Sequence, residues 1–210
     1  MTFPEITFAN VLDYIGTLAF AISGIRLAST KRFDWFGAYV VGLATAIGGG
    51  TVRDLLLDVP VFWMRNGIYF LITLLALLLV VLFGKVVVRQ KYTWFIFDTI
   101  GLGMFAVIGI EKTLGVGYPF WVAIVMGSVT GAGGGVIRDV FLNEVPLIFR
   151  AEIYAVACVL GGLAYWACHL GGWGNVSCGL VCGSVVIFSR VLAVRYQINL
   201  PTLRDSDECA

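Results

Sequence analysis

From Ile153 to Ser189 the chain carries no Asp, Glu, Lys or Arg. A run of that length holds two helices across a bilayer, each needing about 20 mostly apolar residues. The turn between them is marked by "HLGGWGN", His169–Asn175. Asn66–Gly84 and Thr113–Ile137 are also free of charged residues, and Thr7–Ile25, Trp35–Leu57 and Tyr92–Ile110 are apolar enough to join them. The pattern predicts an all-α integral membrane protein of seven transmembrane helices, near residues 7–27, 35–57, 66–84, 92–111, 119–142, 152–170 and 174–194. Composition agrees: 60% of residues are hydrophobic and 13% charged, against about 25% charged in a soluble domain.

The remaining bulk features narrow the function. A net charge of +1 argues against nucleic acid as a partner. The five cysteines, Cys158, Cys168, Cys178, Cys182 and Cys209, form no CxxC pair, and their apolar surroundings favour packing over metal ligation or a disulfide. The opening "MTFPEITF" has no basic n-region, so the first apolar segment reads as a retained span. With the N-terminus outside, only Arg53, Arg65 and Lys112 of the 14 basic residues fall on that side. The positive-inside rule then predicts a multi-pass protein of the cell inner or plasma membrane with a cytoplasmic C-terminus. The tail, "RDSDECA", reads as disordered.

The chain also repeats itself. A shift of 85 residues lays "LDYIGTLAFAISGI" (12–25) over "FDTIGLGMFAVIGI" (97–110). The same shift superposes Asp13 on Asp98, Gly48–Gly50 on Gly133–Gly135, Arg53-Asp54 on Arg138-Asp139, Arg65 on Arg150, and Ile68-Tyr69 on Ile153-Tyr154. Chance similarity between apolar segments does not preserve charged positions. The expected organisation is a first three-helix repeat (1–84), a second repeat (85–170), a seventh helix (171–195) and a cytoplasmic tail (196–210). Three helices per repeat is an odd number, so the second copy enters from the opposite side, giving inverted repeats as in many transporters. Gly179, Gly183 and Ser184 suit the seventh helix to close packing.

Each repeat sets three glycines before an Arg-Asp pair. Glycine costs about 1 kcal/mol relative to Ala in a helix interior, so the triplets predict a kink or break in helices two and five. Backbone groups freed in a membrane must face protein or water, and freed carbonyls could replace part of a cation's hydration shell. The alternative is that the glycines only let helices approach closely. Arg53 lies about 27 Å along from Trp35, near one end of helix two, and Arg138 near the opposite face on helix five. The charged pairs are either interfacial anchors or the two mouths of one pathway. Adjacent helical residues point about 100° apart, so Arg and Asp of each pair are expected on different faces. Asp13 and Asp98 either complement a helix dipole or pair with those arginines.

Two look-alikes carry no weight. "GAGGGV" (131–136) imitates a dinucleotide fingerprint but lacks the strand–helix–strand context. His169, the single histidine, has no catalytic neighbour in sequence. No nucleophile motif, phosphate loop or metal-binding helix is present, so neither an enzyme nor a cofactor or metal is expected.

With its paired GGGxxRD segments and three-plus-three-plus-one plan, the chain resembles the prokaryotic branch of the trimeric intracellular cation channel family, to which bacterial proteins labelled "glycine transporter domain" are related. The resemblance implies a homotrimer in membrane lipid with a pore in each subunit, and permeation of monovalent cations, K⁺ above all. Carried over by motif, it implies pore positions at Gly48, Gly49, Gly50, Arg53, Asp54, Gly133, Gly134, Gly135, Arg138 and Asp139, with Asp13 and Asp98 as supporting charges. The competing reading is a secondary carrier for a small amino acid such as glycine, in which an Arg would clamp the carboxylate.

Overall fold

The structure, a computed structural model, describes residues 7–84, 92–150 and 153–199. Among these residues all regular structure is helical, in eight α-helices: α1 (Phe8–Thr30), α2 (Trp35–Leu56), α3 (Phe62–Arg65), α4 (Ile68–Leu82), α5 (Thr93–Gly115), α6 (Phe120–Phe141), α7 (Ala155–Leu170) and α8 (Asn175–Tyr196). A 3₁₀ turn covers Leu147–Phe149. Five helices, α1, α2, α5, α6 and α8, are long and apolar enough to cross a membrane. The other two apolar helices are shorter, 15 residues in α4 and 16 in α7. Both begin two or three residues inside the expected spans, and each follows a short separate structure, α3 in one case and the 3₁₀ turn in the other.

Local signals explain the helix ends. Thr7 and Asp34 cap α1 and α2, accepting hydrogen bonds from the amides of Asn10 and Gly37. Helix α2 ends with Asp58 at φ 53° and α6 with Asn143 at φ 53°. Both ends are Schellman motifs: the Val59 amide bonds Asp54 O, and the Glu144 amide bonds Asp139 O. Asn and Asp tolerate the left-handed region better than other non-glycine residues.

Packing follows the 85-residue offset. Helix α1 lies against α2 and α4 as α5 lies against α6 and α7, while α1 meets α5 and α2 meets α6. Outside that scheme, α8 packs on α5 and α7. At equivalent crossings Gly24 faces Thr45 and Gly109 faces Thr130. Each threonine turns its hydroxyl onto its own helix, Thr45 Oγ1 donating to Val41 O and Thr130 Oγ1 to Met126 O, both at 2.6 Å.

Helix α2 is α-helical without interruption through Gly48–Gly50, and α6 through Gly133–Gly135, so of the expected kink or break the break is absent. The glycines instead mark where α2 and α6 touch backbone to backbone. A Cβ on Gly49 would collide with Thr130 O, one on Gly134 with Thr45 O, and one on Gly133 would sit 3.1 Å from Gly49 Cα. Close approach stabilises helix pairs in lipid through packing and compensates the low helix propensity of glycine. The middle of the molecule is dry: Phe20 is fully buried, its ring 5.1 Å from that of Phe105 and packed onto Gly101 and Gly134.

Candidate functional site

The charged ends of α2 and α6 each organise a cluster. Arg53 Nε donates to Asp54 Oδ1 at 2.7 Å, and Arg138 Nε to Asp139 Oδ1 at 2.9 Å. This corrects the expectation that neighbours in each pair face apart, because the arginine stem is long enough to bring its guanidinium back alongside the next residue. The second oxygen of each aspartate takes a backbone amide eight residues on. Phe62 N donates to Asp54 Oδ2 and Leu147 N to Asp139 Oδ2, both at 3.0 Å. The repeat thus extends to individual hydrogen bonds. All four charged side chains are buried.

The two clusters then diverge. In the first repeat, Lys112 from the last turn of α5 donates to Asp54 Oδ1 at 2.7 Å. Asp13 accepts from the Tyr69 hydroxyl, and among the described residues it forms no ion pair. In the second repeat, Arg138 Nη1 donates to Asp98 Oδ1 at 2.5 Å and to Ser23 Oγ at 2.9 Å. Tyr154, the equivalent of Tyr69, donates to Asp98 Oδ1 at 3.4 Å, and Arg190 Nη2 lies 3.8 Å from Asp98 Oδ2. The expected Asp–Arg pairing across helices therefore forms for Asp98 and not for Asp13. The tyrosine, with lysine nearby on Asp54, takes over in the first repeat.

Two cavities open onto these clusters. The larger, about 740 Å³, is lined by Asp13, Phe62, Tyr69, Glu111, Lys112 and His169. The smaller, about 240 Å³, is lined by Lys31, Trp94, Arg138, Asp139, Glu144 and Arg150. Ala9, Phe62, Lys112 and Gly115 of the first correspond, at the 85-residue offset, to Trp94, Leu147, Leu27 and Thr30 of the second. Ala9 lines one cavity and Thr30 the other, so they lie about 30 Å apart along α1. The packed Phe20–Phe105 layer separates them. Across the smaller mouth, Lys31 Nζ meets Glu144 Oε1 at 2.5 Å and Arg150 Nη2 reaches Glu144 Oε2 at 3.5 Å. The bond and charge of Lys31 hold the Glu144 carboxyl below its ordinary range.

Of the six charged residues singled out in the sequence, Asp13 lines the larger cavity and Arg138 and Asp139 the smaller, while Asp54, Asp98 and Arg53 sit behind the lining, Asp54 bonded to Lys112, Asp98 to Arg138 and Arg53 to Asp54. The glycines are not at the cavities but between them, at the α2–α6 crossing. Lys112 and Arg190 were counted only as flanking charges, although a basic residue inside an apolar helix is itself a signal. The partners Tyr69 and Tyr154 stood in register across the repeat without a role. Cys158, Cys168, Cys178 and Cys182 are free thiols, while Cys209 and the "RDSDECA" tail lie outside the described residues.

Comparisons with known proteins agree with this architecture. A family model described as "Glycine transporter" matches twice, over residues 10–85 and 95–170, the second match displaced by the same 85 residues. The inner membrane protein YadS of Escherichia coli is 39% identical over 198 residues, covering 91% of this chain and 94% of that protein. YvgT, a membrane protein of Bacillus subtilis, is 40% identical over 196 residues, covering 91% and 95%. Among solved structures, the trimeric intracellular cation channel orthologue from Rhodobacter sphaeroides is 33% identical with a TM-score of 0.86, covering 91% of this chain and 100% of that one. The chain belongs to the glycine-transporter family of bacterial membrane proteins, the prokaryotic branch of the trimeric intracellular cation channels.

Proposed function

We propose that this protein is a passive channel for monovalent cations, K⁺ above all, with one pathway inside each subunit of a homotrimer. The observation that carries the reading is the pair of charged vestibules, one built by each repeat, at opposite ends of the same helices. It is supported by the likeness to structures described as cation channels. The pathway runs from the larger vestibule past Asp13, Arg53 and Asp54 to the smaller one at Arg138, Asp139 and Asp98. Seven membrane passes and inverted repeats put the N-terminus outside, the larger vestibule facing out and the smaller facing the cytoplasm. In the described state the route is shut by Phe20 and Phe105 and by the Arg138–Asp98 pair. Opening requires α2 and α6 to separate and kink at Gly48–Gly50 and Gly133–Gly135, where side chains offer the least resistance.

Arginines beside a cation route would ordinarily repel the ion. Here Asp54 offsets Arg53, and Asp98 with Asp139 offsets Arg138, so neither mouth presents an unbalanced guanidinium. The same pairing counts against an amino acid carrier, which needs an arginine able to grip a substrate carboxylate. Purified protein in planar bilayers tests the reading. Discrete currents reversing at the K⁺ equilibrium potential are expected. Saturable glycine uptake without unitary currents would establish the carrier instead.

A further inference from the structure

Helix α8 has no counterpart in the duplication, yet it delivers one fully buried charge, Arg190, into the second repeat. Its guanidinium sits between two rings, 5.1 Å from the centroid of Phe95 and 4.7 Å from that of Tyr154. It donates to Ile153 O at 3.1 Å, and its Nη2 faces Asp98 Oδ2 at 3.8 Å. Arg190 does not line the 240 Å³ vestibule; its outer side faces a separate cavity of about 260 Å³ with Gln197 and Asn199. It therefore stands behind Asp98 and Tyr154, while Arg138 stands in front of them.

Charge counting makes the arrangement consequential. Asp98 and Asp139 are two buried carboxylates, and Arg138 with Arg190 supplies two buried guanidiniums. Without Arg190 the cluster would carry one excess negative charge in a dry setting, a costly state unless a cation or proton enters. In the first repeat the second cation is Lys112, which binds Asp54 rather than Asp13; among the described residues Asp13 accepts the Tyr69 hydroxyl and has no guanidinium behind it.

We infer that Arg190 is a positioning residue which, through Asp98 and Tyr154, keeps the second-repeat end of the pathway shut. The device exists in one half of the duplication only, so gating is assigned to the smaller vestibule and the larger one stays accessible. Arg190 acts on Asp98 from behind: its guanidinium faces the second carboxylate oxygen, and the stacked Tyr154 ring keeps its hydroxyl over the same carboxylate. Arg138 then remains tied across the vestibule to Asp98 and Ser23.

This inference rests on the channel reading, and single-channel recording separates the two. A wild-type protein that passes no current overturns the channel reading; the inference is tested by comparing variants with a conducting wild type. Arg190→Gln is expected to raise open probability at least threefold at unchanged K⁺ reversal potential. Introducing Arg190→Gln into an Asp98→Asn background is expected to add no further change, since the effect passes through Asp98. Arg190→Lys keeps the charge but loses the planar stacking between rings, and is expected to fall between wild type and Arg190→Gln. A merely structural arginine would lower protein yield or thermal stability without moving open probability. Equal open probability in wild type and Arg190→Gln, or an additive effect with Asp98→Asn, would overturn the inference. If Arg190→Gln fails to fold, the Lys variant decides alone: an open probability no higher than wild type would overturn it.

Discussion

Gly49 and Thr130 meet main chain to main chain: the glycine α-carbon of α2 lies so close to the carbonyl of Thr130 on α6 that no side chain fits between them. Gly134 and Thr45 repeat the relationship with the helices exchanged. Two oppositely placed copies of one motif thus use their smallest residues as each other's seat.

Gly49→Ala forces α2 and α6 apart, because the obstructing atom is a backbone oxygen that cannot rotate away. The expected cost is about 3 kcal/mol, at the upper end for overpacked sites. Thermal unfolding in detergent measures it, with Gly67→Ala as control, since nothing lies within 4 Å of a Cβ at Gly67. Equal midpoints for the two variants would refute the crossing as drawn.

Tyr69→Phe and Tyr154→Phe remove equivalent hydroxyls with unequal consequences. Asp13 loses its hydrogen-bond donor, while Asp98 keeps Arg138. A lost hydrogen bond to a charged group costs about 2 kcal/mol, so Tyr69→Phe, at the half-buried Asp13, is expected to destabilise by up to about that amount and Tyr154→Phe by less than about 1 kcal/mol. Denaturation of the two variants side by side checks the order.

Among the described residues lining the larger vestibule, Lys112 brings the only ammonium, on the same wall as Asp13 and Glu111. Lys112→Met leaves Asp54 bonded to Arg53 and to the Phe62 amide. The vestibule then carries a more negative field, and unitary K⁺ conductance is expected to rise about twofold in dilute salt and to converge with wild type near 1 M, where the screening length falls to about 3 Å. A gain that persists at high salt would point to a steric effect instead.

Lys31 and Glu144 tie the end of α1 to the segment after α6. Because the Glu144 carboxyl titrates below its ordinary value, this tie is complete above the usual carboxylate range and is lost as pH falls through the lowered value. Both side chains are largely exposed, so the effect on open probability is expected to be about twofold or less. Acidifying the side of the smaller vestibule to below the lowered Glu144 value should reproduce the phenotype of Glu144→Gln at neutral pH. Acidification that alters the Glu144→Gln variant equally would assign the pH response to another group.

Much of this was legible in the linear chain. The 85-residue offset superposes Asp54 on Asp139 and Tyr69 on Tyr154, and both pairs make the same hydrogen bonds. Long apolar runs locate the five long helices because a segment spanning lipid must be apolar over most of about 20 residues, even where one or two charges interrupt it. The failures have a common origin in tertiary contact. Glycine propensity describes an isolated helix, and it predicted a break where Thr130 and Thr45 of the opposing helices support an intact one. The angular separation of Arg53 and Asp54 describes Cβ directions, and it overlooked the reach of a long side chain. Arg190 and Lys112 read as flanking charges because their partners, Asp98 and Asp54, are distant in sequence.

Asp54 grips the amide of Phe62, and Asp139 grips that of Leu147. Each carboxylate thereby rivets the tip of a long helix to the short structure that follows it, α3 in the first repeat and the 3₁₀ turn in the second. A tilt of α2 must drag α3 with it, and a tilt of α6 the Leu147–Phe149 turn, so each charged tip swings as one piece with the corner beyond it.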